Sequence, residues 1–233
     1  MWVDFHCHCL PNMDDGASSV EEAAAILQRL YSQNVGTVVA TPHFCLENES
    51  VEAFLKRRSA ACEKLKNHPL ASRFPKLLMG AEVLVTCDLA EVDLRPLAIE
   101  GTGAIMLEMP FSSLKNQIIE EIENICGKYR LMPVIAHLER YFEFFSNNDY
   151  NKVYSIGNAI FQINADAFTR FGIRRLVRYW NEEGLRLLPG SDAHNMTRRV
   201  PRFDAINKYA LKAPYKALMQ NFLLSTGEIG LGI

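Results

Sequence analysis

The chain has 233 residues, of which 48% are hydrophobic and 22% charged: enough apolar side chains for a sizeable core, and too many for a disordered or fibrous chain. Lys and Arg number 25 against 27 Asp and Glu, a formal charge of −2 without a long basic run, which argues against nucleic acid or an anionic membrane as partner. No stretch approaches the roughly 18 apolar residues of a membrane span, no basic and apolar leader is recognised, and the six cysteines (7, 9, 45, 62, 87, 126) include no Cys-x-x-Cys pair, so a cytoplasmic protein with reduced thiols is expected.

In chain order, Trp2 to His8 is a short extended run, followed by the loop Leu10-Pro11-Asn12-Met13-Asp14-Asp15-Gly16. A helix starts near Ser18 or Ser19, with Glu21 and Glu22 in its first turn and Ala23, Ile26, Leu27 and Leu30 at helical spacing. Val35 to Thr41 is a β-branched strand stopped by Pro42, and a polar helix follows over 51–68. Leu77 to Val85 is the third strand and Ala104 to Met109, stopped by Pro110, the fourth. A helix over 114–128 leads into the fifth, Met132 to His137; Ala159 to Asn164 and Leu185 to Leu188 add two more around a helical stretch over 168–182. From Ala205 the chain reads as a helix and a loose end without recognisable chemistry. Seven strands, apolar throughout rather than alternating, predict an α/β fold with a parallel sheet covered on both faces. At this length the expected architecture is a closed α/β barrel, one domain over 1–233.

Ionisable residues collect at the ends of these strands. His6 and His8 end the first, His43 follows the second, Glu82 lies in the third, Glu108 closes the fourth, His137 the fifth, and Asp192 and His194 follow the seventh. In a barrel these positions meet at one rim, where active sites are built. Five of the six histidines lie there; His68, in Asn67-His68-Pro69, reads as a surface residue. His6/His8 and Asp192/His194 are spaced i, i+2, so in extended chain each pair faces one side and can hold one ion. Mixed imidazole and carboxylate ligands suit Mn²⁺, Fe²⁺ or Zn²⁺ rather than a closed structural zinc site. Cys7 and Cys9 offer a rival thiolate site, but alternation turns them away from the histidines, and buried apolar cysteine is the expected role. Asp14-Asp15-Gly16 could be a plain turn; its place after the histidine pair makes Asp15 a candidate ligand. Arg140 and the doubled Arg198-Arg199 put guanidinium groups on the surrounding loops, as phosphate chemistry requires.

These residues, quoted in order, resemble a known family: His6-Cys7-His8, Leu10-Pro11, Asp14-Asp15-Gly16-Ala17, Ala40-Thr41-Pro42-His43, Gly80-Ala81-Glu82, Glu108-Met109-Pro110-Phe111, Ala136-His137-Leu138-Glu139-Arg140-Tyr141, Gln162-Ile163-Asn164-Ala165 and Ser191-Asp192-Ala193-His194-Asn195. From residue 3 to about 204 the chain looks like the metal-dependent bacterial protein tyrosine phosphatases of the PHP superfamily, of the capsule and exopolysaccharide type. The resemblance implies a distorted (β/α)7 barrel with three metal ions, Mn²⁺ before Fe or Zn. It implies His6, His8, Glu82 and Asp192 on one ion; Glu82, Glu108 and His137 on a second; and Asp15, His43 and His194 on a third. Arg140 and Arg199 would grip the phosphoryl oxygens, and His43 and Asp192 count with them as catalytic. Leu138 stands where the family usually has proline, and Arg199-Val200-Pro201 where Arg-Pro-Pro is common. The doubled arginine offers two candidates for the second anchor.

The expected reaction is hydrolysis of phosphotyrosine on a protein, the partner being a bacterial tyrosine kinase or another phosphoprotein, with homo-oligomerisation left open. Ions that lower the pKa of water toward ~7 and neutralise phosphoryl oxygens supply this chemistry, and a tyrosyl leaving group of pKa about 10 needs little acid assistance. A cysteine-nucleophile mechanism is excluded, because no cysteine is followed by arginine six positions later. Two other readings compete: a small-molecule phosphatase of the histidinol-phosphate type, and a non-catalytic module that binds a phosphoprotein.

Overall fold

The computed structural model describes residues 1–210, 212 and 215–231. Nine strands form among them: β1 (Trp2–Cys7), β2 (Val35–Ala40), β3 (His43–Phe44), β4 (Lys76–Met79), β5 (Glu82–Leu84), β6 (Ala104–Glu108), β7 (Met132–Ile135), β8 (Ile160–Asn164) and β9 (Leu187–Gly190). All pair in parallel, in the order β1-β2-β4 in one sheet and β3-β5-β6-β7-β8-β9 in the other.

Nine strands replace the expected seven because two are broken. The break between β2 and β3 falls at Thr41-Pro42, where proline has no N–H for the ladder. The break between β4 and β5 falls at Gly80-Ala81. The two breaks lie opposite each other: the Gly80 N–H donates to the Ala40 carbonyl at 2.9 Å, and the Glu82 N–H donates to the Pro42 carbonyl at 3.1 Å. His43 therefore sits in register beside Glu82. The ladder runs as two sheets rather than as one unbroken barrel. At the other margin a parallel bridge links Cys7 with Ala193. There the His8 N–H donates to the Ala193 carbonyl (2.9 Å) and the Asp192 N–H to the His6 carbonyl (2.7 Å).

Helices α1 (Val20–Ser32), α2 (Val51–Lys66), α3 (Asn116–Tyr129), α4 (Asn147–Tyr154), α5 (Phe171–Glu182), α6 (Phe203–Ala210) and α7 (Lys216–Glu228) fill the connections and the C-terminal region. α1 buries Ala23, Ile26, Leu27 and Leu30, and its N-cap Ser19 accepts a hydrogen bond from the Glu22 N–H at 3.1 Å. α4 has no counterpart in the sequence reading. It is short and polar, with few apolar residues to reveal a period, and is started by a Ser146/Asp149 capping box. The C-terminal region holds two helices rather than one, and the end of the expected loose tail, 232–233, lies outside the described residues.

The apolar strands serve two cores. The larger packs helix residues such as Leu27, Ile122 and Trp180 against strand residues such as Val38, Leu107 and Ile135. The smaller takes Phe5, Val39, Leu78, Met106, Val134, Ile160 and Leu188, one from each of seven strands. Neighbours such as Val38 and Val39 thus serve opposite faces, which is why the strands read as continuously hydrophobic. Among the described residues no helix is long and apolar enough to cross a membrane.

Candidate metal centre

The strands end in a cluster of imidazoles and carboxylates. Ligand atoms of His8, Asp15, His43 and His194 lie within 4.8 Å of one another, and so do those of His6, Glu82 and His137, of His6, His8 and Asp192, and of His43, Glu82 and Glu108. These overlapping groups bring together all nine side chains singled out from the sequence. Cys7 and Cys9 are buried in the larger apolar core, not in the cluster.

Two tautomers can be read from partners. His6 Nδ1 lies 2.9 Å from Gln162 Oε1, an oxygen that also accepts the His137 N–H at 2.7 Å. His8 Nδ1 lies 2.7 Å from the Asp14 carboxylate. Both Nδ1 atoms therefore donate, which leaves both Nε2 atoms as lone pairs in the neutral rings. Those two Nε2 atoms face each other at 3.0 Å. Glu82 Oε2 lies 3.0 Å from His6 Nε2, 3.1 Å from His8 Nε2 and 3.1 Å from His43 Nδ1, yet it has no aligned hydrogen-bond partner although it is buried. With both rings neutral, lone pairs of one sign meet at a buried, unpartnered carboxylate oxygen, an arrangement that a cation resolves; without one, a proton on His8 takes its place. The donor set fits divalent metal ions. His137 contributes Nε2, 2.8 Å from Glu82 and 3.4 Å from Glu108, while its Nδ1 is buried and unpartnered.

The backbone beneath the cluster is strained. His137 and Asp192 have φ of 31° and 51°, in the left-handed region that residues with a Cβ avoid. Hydrogen bonds over-determine both: Gln162 holds the His137 N–H, and the His6 carbonyl holds the Asp192 N–H. At Gly190 a Cβ would fall 2.6 Å from Gln162 Nε2 and 2.7 Å from His6 Cβ, so β9 can approach the ligand strands this closely only as glycine.

Sequence reasoning missed the side chains that orient the ligands. Asp14 Oδ2 takes His8 Nδ1 and the His43 N–H (2.8 Å), while its Oδ1 takes the Gly16 N–H (2.9 Å). Gln162 Nε2 donates to Asn164 Oδ1 (2.9 Å), and Asn164 Nδ2 donates to Asp192 Oδ2 (3.0 Å). The alternation of Gln162 and Asn164 in an otherwise apolar strand was the available signal. Asp14→Asn removes a charge-assisted contact that fixes His8. Titration of the variant with Mn²⁺ is expected to show metal affinity or activity reduced by about 10–100-fold.

Two guanidinium groups border the cluster. Arg140 Nη1 donates to Asp192 Oδ2 at 3.1 Å, with its guanidinium carbon 4.6 Å from the Phe111 ring centroid. Arg199 Nη2 donates to Asp192 Oδ1 at 2.5 Å, and its Nη1 donates to His194 Nε2 at 2.7 Å. His194 Nε2 can serve either Arg199 or a cation, not both. Of the doubled pair, Arg199 reaches the cluster, whereas Arg198 is exposed.

Burial would raise Glu82 and Asp192, but neighbouring charge prevails. His6 and His137 hold Glu82 well below the carboxylate range, and His6, His137 and Arg199 do the same for Asp192. Burial pulls His8 and His137 down, but carboxylates overcome it: Asp14 and Glu82 raise His8 to about 10, and Glu108 and Glu82 raise His137 to about 9. Burial and the nearby His8 push His194 down to about 2. At neutral pH the carboxylates are thus ionised, while a cation must displace protons from His8 and His137, so metal affinity falls as pH falls.

Residues 2–228 match the family described as Capsular polysaccharide synthesis, CpsB/CapC. The chain belongs to this family. The CapC protein of Staphylococcus aureus is 30% identical to this CpsB/CapC member over 93% of the chain and 86% of the relative. The tyrosine-protein phosphatase CpsB of Streptococcus pneumoniae is 29% identical over 94% of the chain and 96% of the relative. A crystal structure from work on YwqE of Bacillus subtilis and CpsB of Streptococcus pneumoniae, described as metal-dependent tyrosine phosphatases, superposes with a TM-score of 0.73. It shares 22% identity and covers 99% of this chain and 95% of the other. The mixed α/β fold with parallel sheets is thus the fold of those CpsB/CapC relatives.

Proposed function

We propose that this CpsB/CapC protein is a metal-dependent protein-tyrosine phosphatase whose substrate is a bacterial tyrosine kinase or another phosphoprotein of capsular or exopolysaccharide synthesis, and that it works in the cytoplasm. The observation that carries this reading is the convergence of five imidazoles and four carboxylates in overlapping groups, three of the imidazoles meeting at the buried, unpartnered Glu82 oxygen. The names of the relatives support the substrate class. The two sheets are read as parts of one distorted (β/α)7 barrel, a single domain over 1–233; the inner core drawn from seven strands and the Cys7–Ala193 bridge support this.

Three ions, Mn²⁺ first among the candidates, would be held by His6, His8, Glu82 and Asp192; by Glu82, Glu108 and His137; and by Asp15, His43 and His194. Such ions supply a nucleophile from water at neutral pH and neutralise phosphoryl charge. Arg140 and Arg199 bind and orient the phosphoryl oxygens, for which the planar guanidinium fork is suited. Asp192 holds both guanidinium groups in place before substrate arrives, which lowers the cost of ordering them. His43, partly exposed beside Asp15, lies on the solvent side of the cluster, from which the tyrosyl phenol would depart. That phenol has an ordinary pKa of about 10, so the chain has little need of a dedicated general acid.

The histidinol-phosphate alternative is disfavoured by the arginines that line the cavity beside the cluster, since histidinol carries an ammonium group. Hydrolysis of phosphotyrosyl peptide, phosphoserine and histidinol phosphate, each with and without chelator, tests the assignment. Metal-dependent activity that favours phosphotyrosine is expected; equal rates on the aliphatic esters would contradict the substrate, and activity in chelator would contradict the mechanism.

A further inference from the structure

A cavity of about 330 Å³ opens directly beside the metal cluster, sharing Asp192 with it, and its lining includes five arginines: Arg140, Arg170, Arg198, Arg199 and Arg202. A chain with a net charge of −2 has no general surplus of cations to place there. Arg140 and Arg199 are accounted for, since both pair with Asp192 and reach toward the cluster. The other three are not. Arg170, Arg198 and Arg202 are exposed, and among the described residues none has a carboxylate within ion-pair distance. Asp166 is the one acidic lining residue besides Asp192.

One phosphoryl group cannot use all of this charge. On the phosphatase reading, its three non-bridging oxygens would be met by the metal ions and by Arg140 and Arg199. Three further unpaired arginines lining one cavity repel one another, and an anion relieves that repulsion.

We propose that this cavity is an anion subsite that receives a second negative group of the phosphoprotein, a carboxylate or phosphoryl group flanking the phosphotyrosine, and that Arg170 and Arg202 thereby determine substrate specificity. The inference rests on the phosphatase reading and goes beyond it: it makes the preferred substrate an acidic phosphopeptide rather than any exposed phosphotyrosine.

The test uses the Mn²⁺-loaded full chain and the double variant Arg170→Ser, Arg202→Ser. Substrates are p-nitrophenyl phosphate, a phosphotyrosyl peptide with neutral flanks, the same peptide flanked by Asp and Glu, and the same peptide carrying a second phosphate. For the parent, kcat/KM on either acidic peptide is expected to exceed that on the neutral peptide by about tenfold, with the advantage falling as salt is added. In the double variant the advantage is lost through KM, while p-nitrophenyl phosphate and the neutral peptide are cleaved as before. Whichever acidic peptide gains more identifies the anion as carboxylate or phosphate. An unchanged ratio of acidic to neutral substrates in the variant, or no acidic preference in the parent, overturns the subsite while leaving the phosphatase standing. Failure of the parent to cleave even p-nitrophenyl phosphate overturns both.

Discussion

Glu82→Gln is expected to lower kcat/KM on a phosphotyrosyl peptide by on the order of 10³-fold or more while leaving the fold intact, because metal ions contribute several kcal/mol of transition-state stabilisation. Glu82 takes part in more of the cluster than any other carboxylate. Its Oε2 faces His6, His8 and His43, and its Oε1 faces His137. Glutamine keeps the shape, but it removes the negative charge and places an amide donor where the imidazole lone pairs converge. In the metal-free protein the variant also loses the ion pairs of Glu82 with protonated His8 and His137, so it should melt somewhat earlier than the metal-free parent. What disappears is the rise in Tm that Mn²⁺ gives the parent by binding only the folded state. Elemental analysis and melting curves with and without Mn²⁺ check this separately from the rate. A variant that retains full metal content would deny Glu82 its place at the centre.

The second large effect belongs to Arg199. Replacement by alanine is expected to reduce kcat/KM by about 10²–10³-fold, the cost of removing one preorganised donor to developing charge. Lysine should recover little, since a point charge cannot reproduce two parallel N–H donors. Metal content should survive in both variants, because Arg199 competes with a cation for His194 Nε2 rather than assisting it. The neighbouring Arg198→Ala should leave p-nitrophenyl phosphate hydrolysis far closer to the parent. Equal losses at both positions would mean that the anchor was wrongly chosen from the doubled pair.

Much of this architecture was legible in the chain itself. The strand segments stood out because residues such as Val38 and Val39 feed two different cores, leaving no polar face. The candidate ligands stood out because His6, His8, His137 and Asp192 interrupt or end those apolar runs, where a buried ionisable group is costly without a partner. The opposed breaks at Pro42 and Gly80 were less visible. Each reads as ordinary strand punctuation, and only their registration across two distant segments sets His43 beside Glu82. The orienting roles of Asp14 and Gln162 were hidden for the same reason: Asp14 looks like half of a turn, and Gln162 acts on residues 156 and 25 positions away. α4 escaped notice because a short polar helix has no apolar period to count.

The pH response follows from the same groups. His8 and His137 are raised to about 10 and 9 in the metal-free protein, so each favours its protonated form at neutral pH. A raised imidazole stabilises the fold below its ordinary pKa of about 6.5 and loses that contribution as pH climbs through the folded value. The metal-free protein should therefore weaken toward pH 9 to 10. Metal uptake should improve over the same interval, because the competing protons are leaving.

The most direct measurement is metal content and phosphotyrosine hydrolysis followed together on one preparation, as purified, after exhaustive chelation and after return of Mn²⁺. Several ions per chain, about three when saturated, with activity vanishing on their removal and recovering on their return, is the predicted result. A stripped protein that hydrolyses phosphotyrosine at its original rate would contradict the account.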